Sequence, residues 1–264
     1  MGSNNNQISA SQSRTWIYPS YCVDKLRSGQ NLSELIHRLG HDIGNPLTAI
    51  ISLGSVIQTL AELESKSNTE SKFPAYAASI IAEAWKVSRI SERMVCILSQ
   101  RKPIAAACNL ENSLSEVFNR LYNRDHARYE NIDIEFADSS EDLAANIDQS
   151  QLNLFFTELI INAVEGIERR LTENNNLSSQ IYVRIFKEDN LACITIGSYS
   201  ARKNTLDLID LFNPFVSGFP EEKHVGIGLT TCYAIAQGHG GQIAISEESK
   251  DNGYYFTVKV CLPM

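Results

Sequence analysis

From Leu32 onward, Leu32, Leu35, Ile36, Leu39, Ile43, Leu47, Ile50, Gly54 and Ile57 recur at steps of three and four. That step places them on one side of a 3.6-residue helix, and predicts a helix of about thirty residues with one continuous apolar stripe. A polar connector runs from Glu64 to Pro74, after which Tyr76, Ile80, Ala84, Val87, Ile90, Met94, Ile97 and Leu98 repeat the spacing. The pattern therefore predicts two long antiparallel helices. A lone hairpin of this kind cannot cover both stripes, so a four-helix bundle formed by two chains is the simplest arrangement that buries them.

Past Arg101-Lys102-Pro103 the pattern becomes mixed helix and strand, which marks a domain boundary. Helices are predicted over Glu111 to Asn123, Gln149 to Leu171 and Thr230 to Gln237, and a short alternating strand over Ile132 to Phe136. Strands at Ile181 to Phe186 and Leu191 to Ile196 flank the turn Lys187-Glu188-Asp189-Asn190. Ile243 to Glu247 and Tyr254 to Leu262 alternate across Asp251-Asn252-Gly253, a hairpin with a tight turn. The second unit reads as a mixed sheet with helices packed on one face. Residues 1–30 are polar at their start and aperiodic, a tail in which Trp16, Tyr18 and Tyr21 are the candidates for local docking. The divisions are thus 1–30, 31–100 and 103–264.

A length of 264 residues suits two compact units plus a tail, and 43% hydrophobic residues supply a core. A net charge of −8 argues against a grip on a nucleic-acid backbone. No window is apolar enough to cross a membrane and the start lacks the pattern of a signal peptide, so the expectation is a cytoplasmic protein without membrane insertion. Cys22, Cys96, Cys108, Cys193, Cys232 and Cys261 include no CxxC pair and read as buried thiols rather than a zinc site or a disulfide framework.

Three segments carry candidate chemistry. On the first helix, His41 and Asn45 share a face and Asp42 stands beside them. A carboxylate that accepts one ring proton leaves the other imidazole nitrogen free to attack phosphorus. Pro46 cannot donate to the carbonyl of Asp42 and bends the helix there, whereas His37, one turn earlier, reads as a solvated histidine. On the apolar helix, Glu158 and Asn162 are one turn apart and can offer oxygens to a magnesium ion; the bland alternative is a buried hydrogen-bonding pair. In His224-Val225-Gly226-Ile227-Gly228-Leu229-Thr230, the two glycines let backbone approach phosphate at a helix start, although a tight turn alone uses the same residues. Phe212-Asn213-Pro214-Phe215 can anchor the base of a flap, and Lys223 can reach a phosphate as a point charge.

The order of these segments resembles the two-component sensor histidine kinases over residues 31–264. HDIGNPLTAI is similar to their phosphoacceptor box, ELIINAVEGI to their N-box, FNPFVSG to their F-box and GIGLTTCYAIAQGHGGQI to their second glycine box, with wording closest to the nitrogen-regulation branch. The resemblance implies a dimeric phosphotransfer hairpin followed by a Bergerat-type (GHKL) α/β sandwich that binds ATP. It makes His41 the phosphoacceptor, Asp42 its activating acid and Asn45 the residue that positions water for dephosphorylating the partner. It also makes Asn162 a magnesium ligand and Gly226 and Gly228 the phosphate-facing glycines. Glu158 stands where these kinases commonly have Asn, and resembles the Glu of related ATPases.

The chain departs from this pattern in one stretch. Where the family has a DxGxG box whose Asp reads the adenine amino group, this chain has Ile196-Gly197-Ser198-Tyr199-Ser200-Ala201-Arg202. Ser198 replaces the Asp and gives up a charge-assisted hydrogen bond, a loss of ~1–3 kcal/mol. Ser200 and Arg202 replace glycines, and Thr230 stands where a third glycine is usual in the second box. Two functions follow. The first is an ATP-dependent protein-histidine kinase core, which phosphorylates His41 from MgATP and passes the group to an Asp of a response-regulator receiver domain. The second is a nucleotide-independent histidine phosphotransfer adaptor whose ATP fold is degenerate. Since residues 1–30 are too short for a sensing domain, the input is expected from a separate sensor protein.

Overall fold

The computed structural model describes residues 14–19, 43, 45–57, 59–60, 73–98, 104–137, 141–173, 179–200, 206–217, 226–250 and 253–264. Residues 45–57 are helical (α1), and Phe73–Leu98 forms α2. On these helices Leu47, Ile51, Val56, Ile81 and Val95 are exposed in the single chain, while Ile90 and Ile97, toward the end of α2, belong to the core.

The second unit is built on a five-stranded sheet ordered β2-β4-β5-β7-β6, with β2 Asp133–Phe136, β4 Gln180–Glu188, β5 Leu191–Ser200, β6 Gln242–Lys250 and β7 Gly253–Pro263. Only β2 and β4 pair in parallel, so the chain crosses between them through helix α5, Gln149–Glu173. The other pairs are antiparallel. β1, Ala106–Asn109, and β3, Ala144–Ile147, form a separate ribbon; sequence periodicity missed both, four residues being too few to establish a period. Between them lie α3, Leu110–Arg124, capped by the Asn109 side chain, and the short α4, His126–Tyr129.

Alternation along β4 explains the layering. Ile181, Val183 and Ile185 are buried, whereas Arg184 is exposed and Tyr182 and Phe186 are half-buried. The buried row is completed by Ile194 and Ile196 of β5 and Val258 and Val260 of β7, which stand opposite one another in register. Over this face lies α5, apolar on almost every side. Its Leu152, Phe155, Phe156, Ile160, Val164 and Ile167 are essentially inaccessible, each worth ~1.5–3 kcal/mol on burial. Asp148 starts α5: its Oδ1 accepts the Ser150 N–H at 2.9 Å and the Gln151 N–H at 3.3 Å. Helix α6, Gly228–Gly238, packs beside α5.

The opposite face of the sheet corrects the reading of the cysteines. Cys193 and Cys261 are not free thiols; they sit opposite each other on β5 and β7, with Cα atoms 4.1 Å apart, and form a disulfide. Cys96, Cys108 and Cys232 are free. The tail docks through main chain at long range: Ile17 and Ile245 of β6 exchange N–H···O bonds of 2.9 and 3.1 Å, while Tyr18 is exposed. Arg14 pairs with Glu248 and lies over Tyr255, which fixes the register of this addition. Tyr21 lies outside the described residues. No described helix is long and apolar enough to cross a membrane.

Candidate functional site

The segments that resemble an N-box and a second glycine box meet in space. Glu158 and Asn162 stand one turn apart on α5, and α6 begins at Gly228 against them. A methyl group at Gly228 would lie 3.0 Å from Glu158 Oε2 and 3.6 Å from both polar atoms of the Asn162 amide. Gly226 holds φ +67°, the left-handed region, and its carbonyl accepts the Phe215 N–H at 2.8 Å. Among the described residues no side chain caps the first turn of α6, so the helix start keeps donors and a positive dipole end that suit phosphate.

The Phe212–Phe215 segment is fixed beneath this turn. Phe212 is fully buried, and its carbonyl accepts a 2.8 Å hydrogen bond from the Thr230 hydroxyl, itself inaccessible. Thr230, a departure from the glycine of the family pattern, therefore pins the F-box to α6. Phe215 packs on the core and also adopts a positive φ of 66°.

Glu158 has a partner that sequence reasoning missed. The guanidinium of Arg93 on α2 donates through Nε to Oε1 at 2.7 Å and through Nη2 to Oε2, a forked pair. Glu158 is 1% exposed and Arg93 7%, so this ion pair between hairpin and sheet unit is removed from water. Arg89, one turn earlier, brings Nε within 3.8 Å of Glu158 Oε1. Burial, then the neighbouring positive charge of Arg93, push the Arg89 guanidinium below its ordinary value. Arg89 and Arg93 share a face of α2, the available signal in the sequence, but nothing local reveals an acid 65 residues away.

Ser198 is 5% exposed and lies on the helix-facing side of β5, in register with Ile181 and Phe256. It faces α5 where that helix carries Gly166: a methyl there would meet Ser198 Oγ at 3.6 Å. β5 continues past Ile196 to Ser200, which pairs with Tyr254, so the stretch resembling a glycine box is strand up to that point.

Asn45 is exposed on α1, whereas Pro46 beside it is buried. His41, Asp42, Arg202 and Lys223 lie outside the described residues. A cleft of about 470 Å³ opens between α2 and the sheet unit, lined by Trp85, Arg89, Arg120, Arg124, Leu154 and Thr157 among others. Arg124 stacks on Trp85 at 3.2 Å from the ring centroid. Among the described residues, Glu188, Cys193 and Cys261 also converge, but the two sulfurs are bonded to each other and Glu188 is paired with Lys259.

The donor set at Glu158 and Asn162, a carboxylate and an amide oxygen, fits a hard divalent cation, although Arg93 engages both carboxylate oxygens in this arrangement.

Comparison with known proteins agrees with this geometry. Residues 147–264 match the family model "Histidine kinase-, DNA gyrase B-, and HSP90-like ATPase". The alginate biosynthesis sensor protein KinB of Pseudomonas aeruginosa is 20% identical over 230 residues, 85% of this chain. The chain spans 36% of that protein's length. Among solved structures, the Acinetobacter baumannii histidine kinase AdeS is similar with a TM-score of 0.54 and 14% identity, over 84% of this chain and 98% of that one. The histidine kinase ThkA in complex with response regulator protein TrrA has a TM-score of 0.56 and 19% identity, over 90% of this chain and 65% of that one. Full-length ShkA in complex with AMPPNP gives a TM-score of 0.56 and 16% identity, over 88% of this chain and 46% of that one. Residues 147–264 are thus matched to the ATPase family that histidine kinases share with gyrase B and HSP90, and the chain folds as the solved histidine kinases do.

Proposed function

We propose that this chain is a protein-histidine kinase core of a two-component system, similar to the nitrogen-regulation branch, that phosphorylates His41 from MgATP. The observation that supports it best is the convergence of Gly228 with Glu158 and Asn162, two motifs about 70 residues apart in sequence that meet where a nucleotide's phosphates would lie. Gly226 and Gly228 would bring main-chain N–H groups to those phosphates, with Lys223 adding a point charge. Glu158 and Asn162 would hold a magnesium ion, which supplies charge neutralisation at the phosphates. Asp42 would accept the hydrogen bond of one His41 ring N–H, leaving the other nitrogen to form the N–P bond as the β–γ bridging bond breaks and ADP departs. An Asp of a receiver domain would then take the phosphoryl group, and Asn45 would position the water that hydrolyses this aspartyl phosphate, releasing inorganic phosphate and the free carboxylate. Residues 31–100 would form the dimeric hairpin and residues 103–264 the ATP-binding domain, with 1–30 a tail. Exposure of Leu47, Ile51, Ile81 and Val95 in the single chain supports the homodimer. A cytoplasmic location belongs to the same proposal.

The test is incubation with γ-labelled ATP. Acid-labile label is expected on the parent and none on His41→Gln, while His37→Gln stays close to the parent; label retained in His41→Gln overturns the assignment.

A second reading, the nucleotide-independent phosphotransfer adaptor, is favoured by the neutral hydroxyl of Ser198 on the helix-facing side of β5 and by the guanidinium held on Glu158. For this reading, the same chain would take phosphate on His41 from a phosphorylated receiver domain while binding no nucleotide at millimolar concentration.

A further inference from the structure

Resting on the kinase reading above, we infer that Arg93 is a latch: it occupies the Glu158 carboxylate that a metal–nucleotide complex would need, so docking of α2 on the ATPase domain and loading of that domain exclude each other.

The inference starts from valence. Glu158 has two carboxylate oxygens; one accepts the Arg93 Nε–H and the other an Nη2–H, with Arg89 3.8 Å away on the side of Oε1. A forked guanidinium spans the same two oxygens that a hard cation would coordinate, and it brings one positive charge in place of two. With Glu158 1% and Arg93 7% exposed, neither group can exchange its partner for water while the interface stays shut. Any gain of a cation at Glu158 therefore requires Arg93 to leave, and its departure strips a buried charge pair from the contact between hairpin and sheet unit.

Position adds a second constraint. Oε2, the oxygen bonded by Nη2, is also the one that a methyl group at Gly228 would approach to 3.0 Å. The latch thus closes on the oxygen beside the start of α6, where phosphates would be received. The same contact fixes the hairpin: α2 meets the ATPase domain at α5 and α6, with Ile90 and Ile97 in the shared core on either side of Arg93 in sequence. A residue that both joins the two units and fills the metal position couples them, and the coupling is reciprocal: whatever loosens α2 strengthens loading, and loading loosens α2.

The experiment titrates the full chain with ADP by calorimetry, with and without magnesium, and follows hydrogen exchange of residues 85–97 under the same conditions. Arg93→Gln is expected to tighten the magnesium-dependent part of binding at least tenfold while leaving metal-free ADP binding within twofold. Exchange over 85–97 should rise in the parent when Mg·ADP is added, and should start high in Arg93→Gln. Arg93→Lys, which keeps the charge and loses the fork, should lie between, and it serves if the glutamine variant does not fold. Equal magnesium-dependent affinity in parent and variants overturns the latch and leaves nucleotide binding standing. Failure of every form to bind nucleotide overturns the kinase reading and, with it, the competition for Glu158.

Discussion

Replacing Gly226 or Gly228 by alanine adds the same methyl group two residues apart, yet the structure expects opposite outcomes. At Gly226 the backbone sits at φ +67°, which costs an L-residue ~1–2 kcal/mol. The new Cβ would also stand 2.7 Å from the carbonyl carbon of Phe215 and 2.9 Å from both the nitrogen and the oxygen of Val216. These are main-chain atoms and no rotamer relieves them, so a further ~1–3 kcal/mol of overpacking is expected. The hydrogen bond from Phe215 N–H to the Gly226 carbonyl would be displaced as the loop gives way. A total near 3 kcal/mol should move the urea midpoint down by roughly 1–2 M for an ordinary m value. At Gly228 the φ is not positive and the residue opens α6, so the backbone accepts alanine. Its methyl group instead meets Glu158 Oε2 at 3.0 Å, crowding the carboxylate rather than the fold. The urea midpoint of Gly228→Ala should stay within ~0.5 M of the parent, while the Mg·ADP affinity changes. A Gly226→Ala protein with the parent's midpoint, or a Gly228→Ala protein that unfolds as early as Gly226→Ala, would refute this account of the two glycines.

Asp148→Ala should cost ~1 kcal/mol in urea denaturation, because it removes the cap of α5. Hydrogen bonds from the Ser150 hydroxyl, then from the Gln151, Ser150 and Ile104 N–H groups, hold the Asp148 carboxyl below its ordinary 3.8 against a smaller opposing effect of burial. Its contribution is therefore complete above that value and fades as pH falls through the folded one, so parent and variant should converge in acid; a constant difference from pH 7 to pH 2 refutes the cap. Reducing the Cys193–Cys261 disulfide, which spans 68 residues, should lower stability by up to ~4 kcal/mol on the chain-entropy account. Dithiothreitol should shift the urea midpoint of the parent and leave Cys193→Ala/Cys261→Ala unmoved, and an unshifted parent would show that the bond is absent.

Much of the architecture was legible in the chain because it is written in local periods. The helix expected over Gln149 to Leu171 is α5, Gln149–Glu173, since apolar residues on almost every side leave burial as its only stable setting. The strands around Asp189, whose φ of 53° suits the turn, and the final hairpin were readable from alternation for the same reason. The motifs resembling the N-box and second glycine box could also be named, since each is a short run of fixed spacing, and their meeting at Gly228 fits that reading.

Tertiary structure decided the pairings. Arg93 finds Glu158 across 65 residues, Cys193 finds Cys261 across 68, and the Ile17 main chain finds β6 at the far end of the sheet. Each depends on which elements become neighbours, information carried by the summed burial of the core rather than by any window of sequence. Even Thr230, which as a sequence letter is only a missing glycine, acquires its reason from the Phe212 carbonyl 18 residues away, an acceptor that no helical or strand period points to.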